Sequence, residues 1–459
     1  MTGDEMYFSD LDNTLQSICK GEKALFVSGG PGSGKNFSAL RFCTEHKNSL
    51  YFSFKNLDTT FALRVFCNAH SGIFGGCESW ADFFDFLGVY GNKKHLLVFF
   101  DNAGERNDKD DFYAALNSFL ITDSAITVVI LGRPWETPPI PCREVKVSSF
   151  SMPQLADICK LPDKTAASLY CMTGAIPALL SLYNNELSFE DNVRAFLRTD
   201  STFYRLVESW MQESFRTPES YNTLLYAMAN GYNRIGEIAK FSGFPKNKCD
   251  KYIKALIKHG LVIKTPGENG HTKYFPANTY LTLWYKILLT AVPNSDGSFR
   301  EETYQHFIRF FNDEVLADFY KNMCCYWLEN NINSNALAHI DTKNTAYHDV
   351  TIGGIAFDFA CRESRNVYAY FDTIVGEGLS MNLWKEIDAV TTKTDPFYKN
   401  EYYICTVNRV PDSYWKLSKA YDNVYIISLK MLFAEYKKEY NTKAHPRFVP
   451  SFVRRRGEK

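Results

Sequence analysis

No stretch of this 459-residue chain stays apolar for the roughly eighteen residues that a membrane-crossing helix needs, and the acidic opening, residues 1–10, lacks the apolar middle of a secretion signal. A cytoplasmic protein without a membrane partner is therefore expected. The twelve cysteines include no C-x-x-C pair and no Cys/His group at zinc spacing, only the adjacent Cys324 and Cys325. They read as reduced core residues and exclude a disulfide frame. His95 before a strand and His259 at a helix end read as structural residues, not metal ligands. Excess charge is lacking too: 51 Lys and Arg stand against 52 Asp and Glu, a net charge of −1. No global field draws the chain to nucleic acid or lipid, so any basic surface must be local.

What the chain has is aromatic mass, with 36 Phe and 28 Tyr in a composition that is 45% hydrophobic. Its length exceeds what one core organises, and about two to four domains are expected. The organising stretch begins at residue 24, where ALFVSGGPGSGKN reads as a buried strand, a Gly-rich loop and the start of a helix. Gly29 and Gly34 bracket four residues and Lys35 follows, which is the core of a Walker A loop. Loop amides without flanking β-carbons can turn inward around phosphate oxygens, and the positive end of the helix adds field. Gly29, Gly30, Pro31, Gly32, Ser33, Gly34, Lys35, Asn36 and Phe37 are accordingly the candidate nucleotide-binding residues. Asn36 stands where such loops carry the Ser or Thr that ligates Mg2+. Its amide oxygen sits one atom further out, which favours nucleotide binding over fast hydrolysis.

A second apolar run, residues 95–100, ends in Asp101, the Walker B pattern of a strand with an acid at its carboxyl end. In an open parallel sheet that edge gathers the ligands, so Asp101 should meet the phosphate loop and, with Asn36, support Mg2+. Asn102 follows where hydrolytic relatives of this architecture have Glu. An amide positions water but takes no proton from it. Glu105 is a weaker substitute, more simply a solvated carboxylate. Arg133, after the strand 125–131, is placed to sense a terminal phosphate, although an arginine at a strand end is as often structural. With strands also at 50–54 and 144–147 and helices between, the first segment is a three-layer α/β domain with mainly parallel strands.

From residue 152 the spacing becomes helical, with helices expected over 152–160, 165–173 and 176–183 as a lid above the nucleotide. Residues 221–230, 234–241 and 246–259 then read as three helices before a hairpin around PGENG, the punctuation of a winged helix. Its last helix carries Lys246, Lys248, Lys251, Lys254 and Lys258. Lysines on an exposed helix are usually a solvated face, yet in this motif Lys246, Lys248 and Lys251 are candidates for duplex DNA phosphates.

Walker A, Walker B, the segment MTGAIPALL and this winged helix, in that order, resemble the prokaryotic and archaeal P-loop ATPases of AAA/STAND type. The later YFPANTYLTLWYKIL is similar to the segment that follows the wing in that family. The resemblance implies ATP and Mg2+ as cofactors. It also implies a C-terminal domain similar to restriction-endonuclease-like nucleases, with Asp358 as its first acid. Where that pattern wants Glu-x-Lys, this chain has Tyr370 and Asp372, and one acid alone does not support metal-assisted cleavage. A degenerate nuclease-like fold serving a protein partner is expected, followed by a basic tail, RFVPSFVRRRGEK.

The expected organisation is a nucleotide-binding α/β domain over 1–149, a helical lid over 150–216, a winged helix over 217–290 and an inactive nuclease-like α/β domain over 291–459. The expected function is a nucleotide-dependent switch whose ATP hydrolysis is slow or absent because Asn36 and Asn102 replace the usual residues. The alternative is a DNA-binding regulator in which the nucleotide domain is a modulator or relic.

Overall fold

The computed structural model describes residues 22–55, 57, 59–91, 96–105, 109–122, 125–147, 149–150, 152–266, 272–332, 346–352, 355–362, 366–372, 389, 401–406, 410, 412–420 and 424–440. The sequence also predicts helices over 10–20 and 380–390; the first, His95 and the closing basic tail lie outside the described residues, as does the second apart from Ala389. Strands β1 (Ala24–Gly29), β2 (Ser49–Ser53), β3 (Leu96–Asp101), β4 (Ile126–Gly132) and β5 (Arg143–Val147) form one sheet in the order β2-β3-β4-β1-β5, every neighbouring pair parallel. β1 and β3 are buried at every residue. That is why both read as unbroken apolar runs: helices cover each face, so neither side of the strand meets water.

The two faces differ in what they bury. Leu25, Val27, Leu97 and Phe99 pack against Ala39 and Phe42 of the helix Lys35–Glu45, with Tyr51 at the margin. The opposite face is an aromatic core built on Phe26, Phe52 and Phe100 and covered by the helices Thr59–Ala69, Trp80–Gly91 and Lys109–Ile121. Phe52 lies at its centre, with ring centroids 4.9 Å from Phe66, 5.3 Å from Phe83 and 5.5 Å from Phe100. Aromatic pairs at such separations add to the burial of area itself.

Beyond β5 the chain is helical, through Met152–Cys159, Asp163–Thr173, Pro177–Leu180, Phe189–Phe196 and Thr202–Ser214. Ser188 and Ser201 cap the last two by accepting from the amides of Asp191 and Tyr204, satisfying donors that a helix start leaves open. The helix expected over 176–183 is shorter: Pro177 opens it, and after Leu180 the chain turns. Helices Glu219–Ala229, Ile235–Ser242 and Lys246–Lys258 follow, then the antiparallel hairpin β6 (Val262–Pro266) and β7 (Thr272–Pro276). One hydrophobic cluster runs without a break from Met152 through this hairpin to Cys324, and on to Tyr403 and Phe433. The helices are therefore packed as one body against the second sheet.

That second sheet has the order β12-β11-β10-β9-β8, from β8 (Ala346–Ile352), β9 (Ile355–Arg362), β10 (Asn366–Asp372), β11 (Glu401–Thr406) and β12 (Val424–Ser428). β8, β9 and β10 pair antiparallel, and β10, β11 and β12 pair parallel. Asp358 falls in β9 and Tyr370 and Asp372 in β10. Among the described residues no helix is long and apolar enough to cross a membrane.

Because Phe52 is 1% exposed and touches rings from two helices, the loop between them and a strand, Phe52→Ala should lower stability by ~3–5 kcal/mol, read as a shift in the denaturant midpoint followed by circular dichroism.

Candidate phosphate-binding site

The loop leaving β1 is shaped by two left-handed glycines, Gly32 at φ 73° and Gly34 at φ 84°, the second capping the helix Lys35–Glu45. Ser33 donates its amide to the Gly30 carbonyl at 3.1 Å, closing the turn. No acid stands in the first turn of the helix, so its positive end is left for an anion. The Ser33 hydroxyl is buried without a hydrogen-bond partner among the described residues, which fits a loop that completes its bonding on a ligand. Lys35 lays its ammonium on the Gly29 carbonyl at 3.1 Å. Burial pushes the Lys35 ammonium below its ordinary value, and Asp101 opposes that shift.

Asp101 ends β3 beside this loop at 3% exposure. A single oxygen, Oδ2, accepts three neutral donors: Asn36 Nδ2 at 2.8 Å, the Tyr51 hydroxyl at 2.9 Å and Asn102 Nδ2 at 3.2 Å. Burial raises the Asp101 carboxyl above the usual range, while the Tyr51 bond, Lys35 and Asn36 pull it back. Asn102 sits at φ 58°, a left-handed conformation that Asn tolerates better than most residues. Asn36, Asp101 and Asn102 are thus brought together, and Tyr51 is a fourth member that the sequence did not single out. Its sign was register: Tyr51 pairs with Phe99 and so shares a face with Asp101, two residues further along β3.

Helices beyond the sheet bear directly on this loop. The Ala178 amide donates to the Gly32 carbonyl at 3.0 Å, and a β-carbon on Gly32 would stand 2.8 Å from Ile176 Cγ2. Arg133, one residue past β4, donates Nη1 to the Glu213 carbonyl at 3.1 Å, and its Nη2 lies 3.6 Å from the Glu213 carboxylate. The same carboxylate is 3.8 Å from Lys55. Arg133 and Glu213 are both within electrostatic reach of Lys35. The guanidinium also lies 5.5 Å over the Trp135 ring, which packs on His259 at 4.2 Å. From there rings continue to Phe215 at 4.8 Å, Tyr221 at 3.8 Å from Phe215, and Tyr252 at 4.6 Å from Tyr221. Lys248 lies 4.0 Å over Phe244 and 5.4 Å over Tyr252, Lys254 pairs with Asp250 at 2.7 Å, and Lys246 and Lys251 are exposed.

Phe37 is 43% exposed on the helix, its ring turned away from the sheet core. A cavity of about 630 Å³ opens on the other flank, between Tyr113, Asn117, Trp135, Glu136 and Lys258, and no residue of the phosphate loop lines it. Among the described residues no group of three or more His, Cys, Asp or Glu could hold a metal ion.

No family model and no curated protein matches this chain. Solved structures similar to it include one signal transduction ATPase with numerous domains (STAND), a protein with a tetratricopeptide repeat sensor from Pyrococcus horikoshii, at 15% identity over 65% of this chain and 44% of that one, TM-score 0.30. Drosophila ORC bound to AT-rich DNA is 11% identical over 62% of this chain and 91% of that one, TM-score 0.24. A protein from Vibrio cholerae is 11% identical over 91% and 98%, TM-score 0.20. This chain spans less than half the length of the first. Likenesses this distant leave the chemistry to be argued from the loop and strand ends themselves.

His259 is held neutral: burial first, then Lys258 and Arg133, lower its pKa from the ordinary 6.5 to about 4. The folded chain then binds this proton less readily than the unfolded one, so the stability contributed by the neutral ring is full above pH 6.5 and is lost as pH falls toward about 4, where the folded imidazole itself takes the proton beside Trp135. The emission difference between wild type and Trp135→Phe should change as pH falls through about 4 while the chain is still folded, and His259→Phe should flatten the change.

Proposed function

We propose that the chain is an ATP-binding switch of AAA/STAND type, with a nucleotide core over 1–149, a lid over 150–216, a winged helix over 217–290 and an inactive nuclease-like domain over 291–459. The observation that carries this is Arg133. It leaves the strand edge that holds Lys35 and is tied to Glu213 and Trp135 on the way to the helices. In this scheme the phosphates of ATP bind the amides of the loop at 29–37 and the Lys35 ammonium, which leaves the Gly29 carbonyl to meet them. The terminal phosphate then competes with Glu213 for Arg133. Once Arg133 turns to phosphate, Trp135 loses its cation and the ring stack toward Tyr252 is free to shift.

Chemistry at the terminal phosphate is slow in this scheme, because Asn102 orients a water without accepting its proton. The winged helix acts chiefly as the element that moves. Of its lysines, Lys248 is held on rings and Lys254 on Asp250, so the face available to duplex DNA phosphates narrows to Lys246 and Lys251. The C-terminal sheet is the surface for a protein partner.

Titration calorimetry with ATP and ADP tests the proposal. Wild type should bind both, Lys35→Ala should lose at least about tenfold in affinity, or about 1.4 kcal/mol, and turnover should stay slow in either. Arg133→Ala should still bind, yet fail to change Trp135 emission when ATP is added. Nucleotide binding that survives Lys35→Ala unchanged would move the site elsewhere.

A further inference from the structure

A switch of this kind is expected to use Mg2+, and the residues present do not fit that ion well. In a loop with Ser or Thr at position 36, one oxygen would donate to the strand acid and ligate the metal at once. Asn36 divides those tasks between two atoms. Its Nδ2 is committed to Asp101 at 2.8 Å, and the amide cannot be turned over, since Oδ1 would then face a carboxylate oxygen at the same distance. The planar amide holds Oδ1 apart from the position a hydroxyl would occupy, and Mg2+ demands a near-ideal octahedron at about 2.0–2.1 Å. Asp101 is equally committed. Its Oδ2 already accepts from Asn36, Tyr51 and Asn102, so the water shell of a metal is left with Oδ1 alone unless it displaces one of the three.

We propose that this site takes ATP and ADP without requiring a divalent cation, with Asn36, Tyr51 and Asn102 satisfying Asp101 and side-chain cations neutralising the phosphates. The inference rests on the nucleotide reading above. Three cations stand at the loop's edge: Lys35 on the Gly29 carbonyl, and Arg133 and Lys55, both facing the Glu213 carboxylate. If the terminal phosphate takes the place of Glu213, both of the latter become available to it, and the added positive charge arrives from the protein. Tyr51 is a positioning residue in this arrangement. Burial and the neighbouring Asp101 hold its phenol above the ordinary value, so it stays a donor across the physiological range.

The test is calorimetric titration of the full chain with ATP and ADP, once in EDTA and once with magnesium in excess. The expected result is affinities within about threefold of each other, a difference under ~0.7 kcal/mol. Asn36→Thr should bring in a magnesium dependence of about tenfold or more, and Tyr51→Phe, which frees one position on Asp101 while keeping the ring packed, should move the same way. Wild type that binds only with magnesium, or loses more than about tenfold in EDTA, overturns the inference and leaves the nucleotide reading standing. Binding in neither condition overturns both. Wild type that binds equally well in both, with Asn36→Thr and Tyr51→Phe equally indifferent to magnesium, overturns the role given to these side chains.

Discussion

A carboxylate removed from water must be satisfied by the protein around it, and at the edge of the first sheet Asp101 sets that requirement. At 3% exposure it cannot rely on solvent. Its three donors come from three places: Asn36 in the helix after β1, Tyr51 in the middle of β2 and Asn102, which follows Asp101 at the end of β3. The order β2-β3-β4-β1-β5 is what brings them together. β2 lies next to β3, so that Tyr51 pairs with Phe99 and reaches along the shared face to Asp101. Breaking one of these bonds leaves a buried charge short of a partner, which costs more than the bond itself contributes. The left-handed backbone at Asn102 and the fixed amide of Asn36 follow from the same demand.

That requirement also separates what the sequence reveals from what it hides. The shape of the Gly-rich loop is legible because its signals are local: Gly32 and Gly34 supply left-handed turns, Lys35 follows, and an apolar run precedes them. The five strands of the first sheet are legible for the same reason, as buried runs bounded by turns. Tyr51 is not, because it lies inside the strand expected over 50–54 and its partner is fifty residues away, joined only once register is known. Glu213 is eighty residues from Arg133 and sits in a helix, Thr202–Ser214, that periodicity did not set apart from its surroundings. The long helix pair Glu301–Phe310 and Ala317–Ile332 is interrupted by the wider turn Phe311–Leu316, which shifts the apolar stripe out of simple period. β8 escaped notice too, since AYHDVTI mixes polar and apolar residues without clean alternation.

The lysines of the helix Lys246–Lys258 show why counting charge on a helix misleads. Read as a list, they make a basic face. Lys248 instead rests its ammonium on the rings of Phe244 and Tyr252, extending an aromatic series that begins at Trp135. Its charge is therefore part of how the helix packs, since a cation over a ring is worth about 0.5–1 kcal/mol even when exposed.

The links between sheet and helices are weak one at a time, as the proposed switch requires. Arg133 is 17% exposed and Glu213 42%, so their ion pair lies near solvent and contributes ~0–1 kcal/mol. Each ring contact beyond Trp135 adds about 0.5–1.5 kcal/mol. Together they amount to a few kcal/mol, comparable with the roughly 5.5 kcal/mol of differential affinity that carries a two-state element from almost wholly one form to almost wholly the other. In the proposed switch a phosphate would bring two or more negative charges into the partly desolvated space between Lys35 and Arg133, where charge counts for more than at the surface. It can therefore outbid one carboxylate at an exposed margin. A tighter clasp, with Glu213 buried and bidentate, would hold Arg133 against any nucleotide, and the fold would then have a binding site but no means of reporting that it was filled.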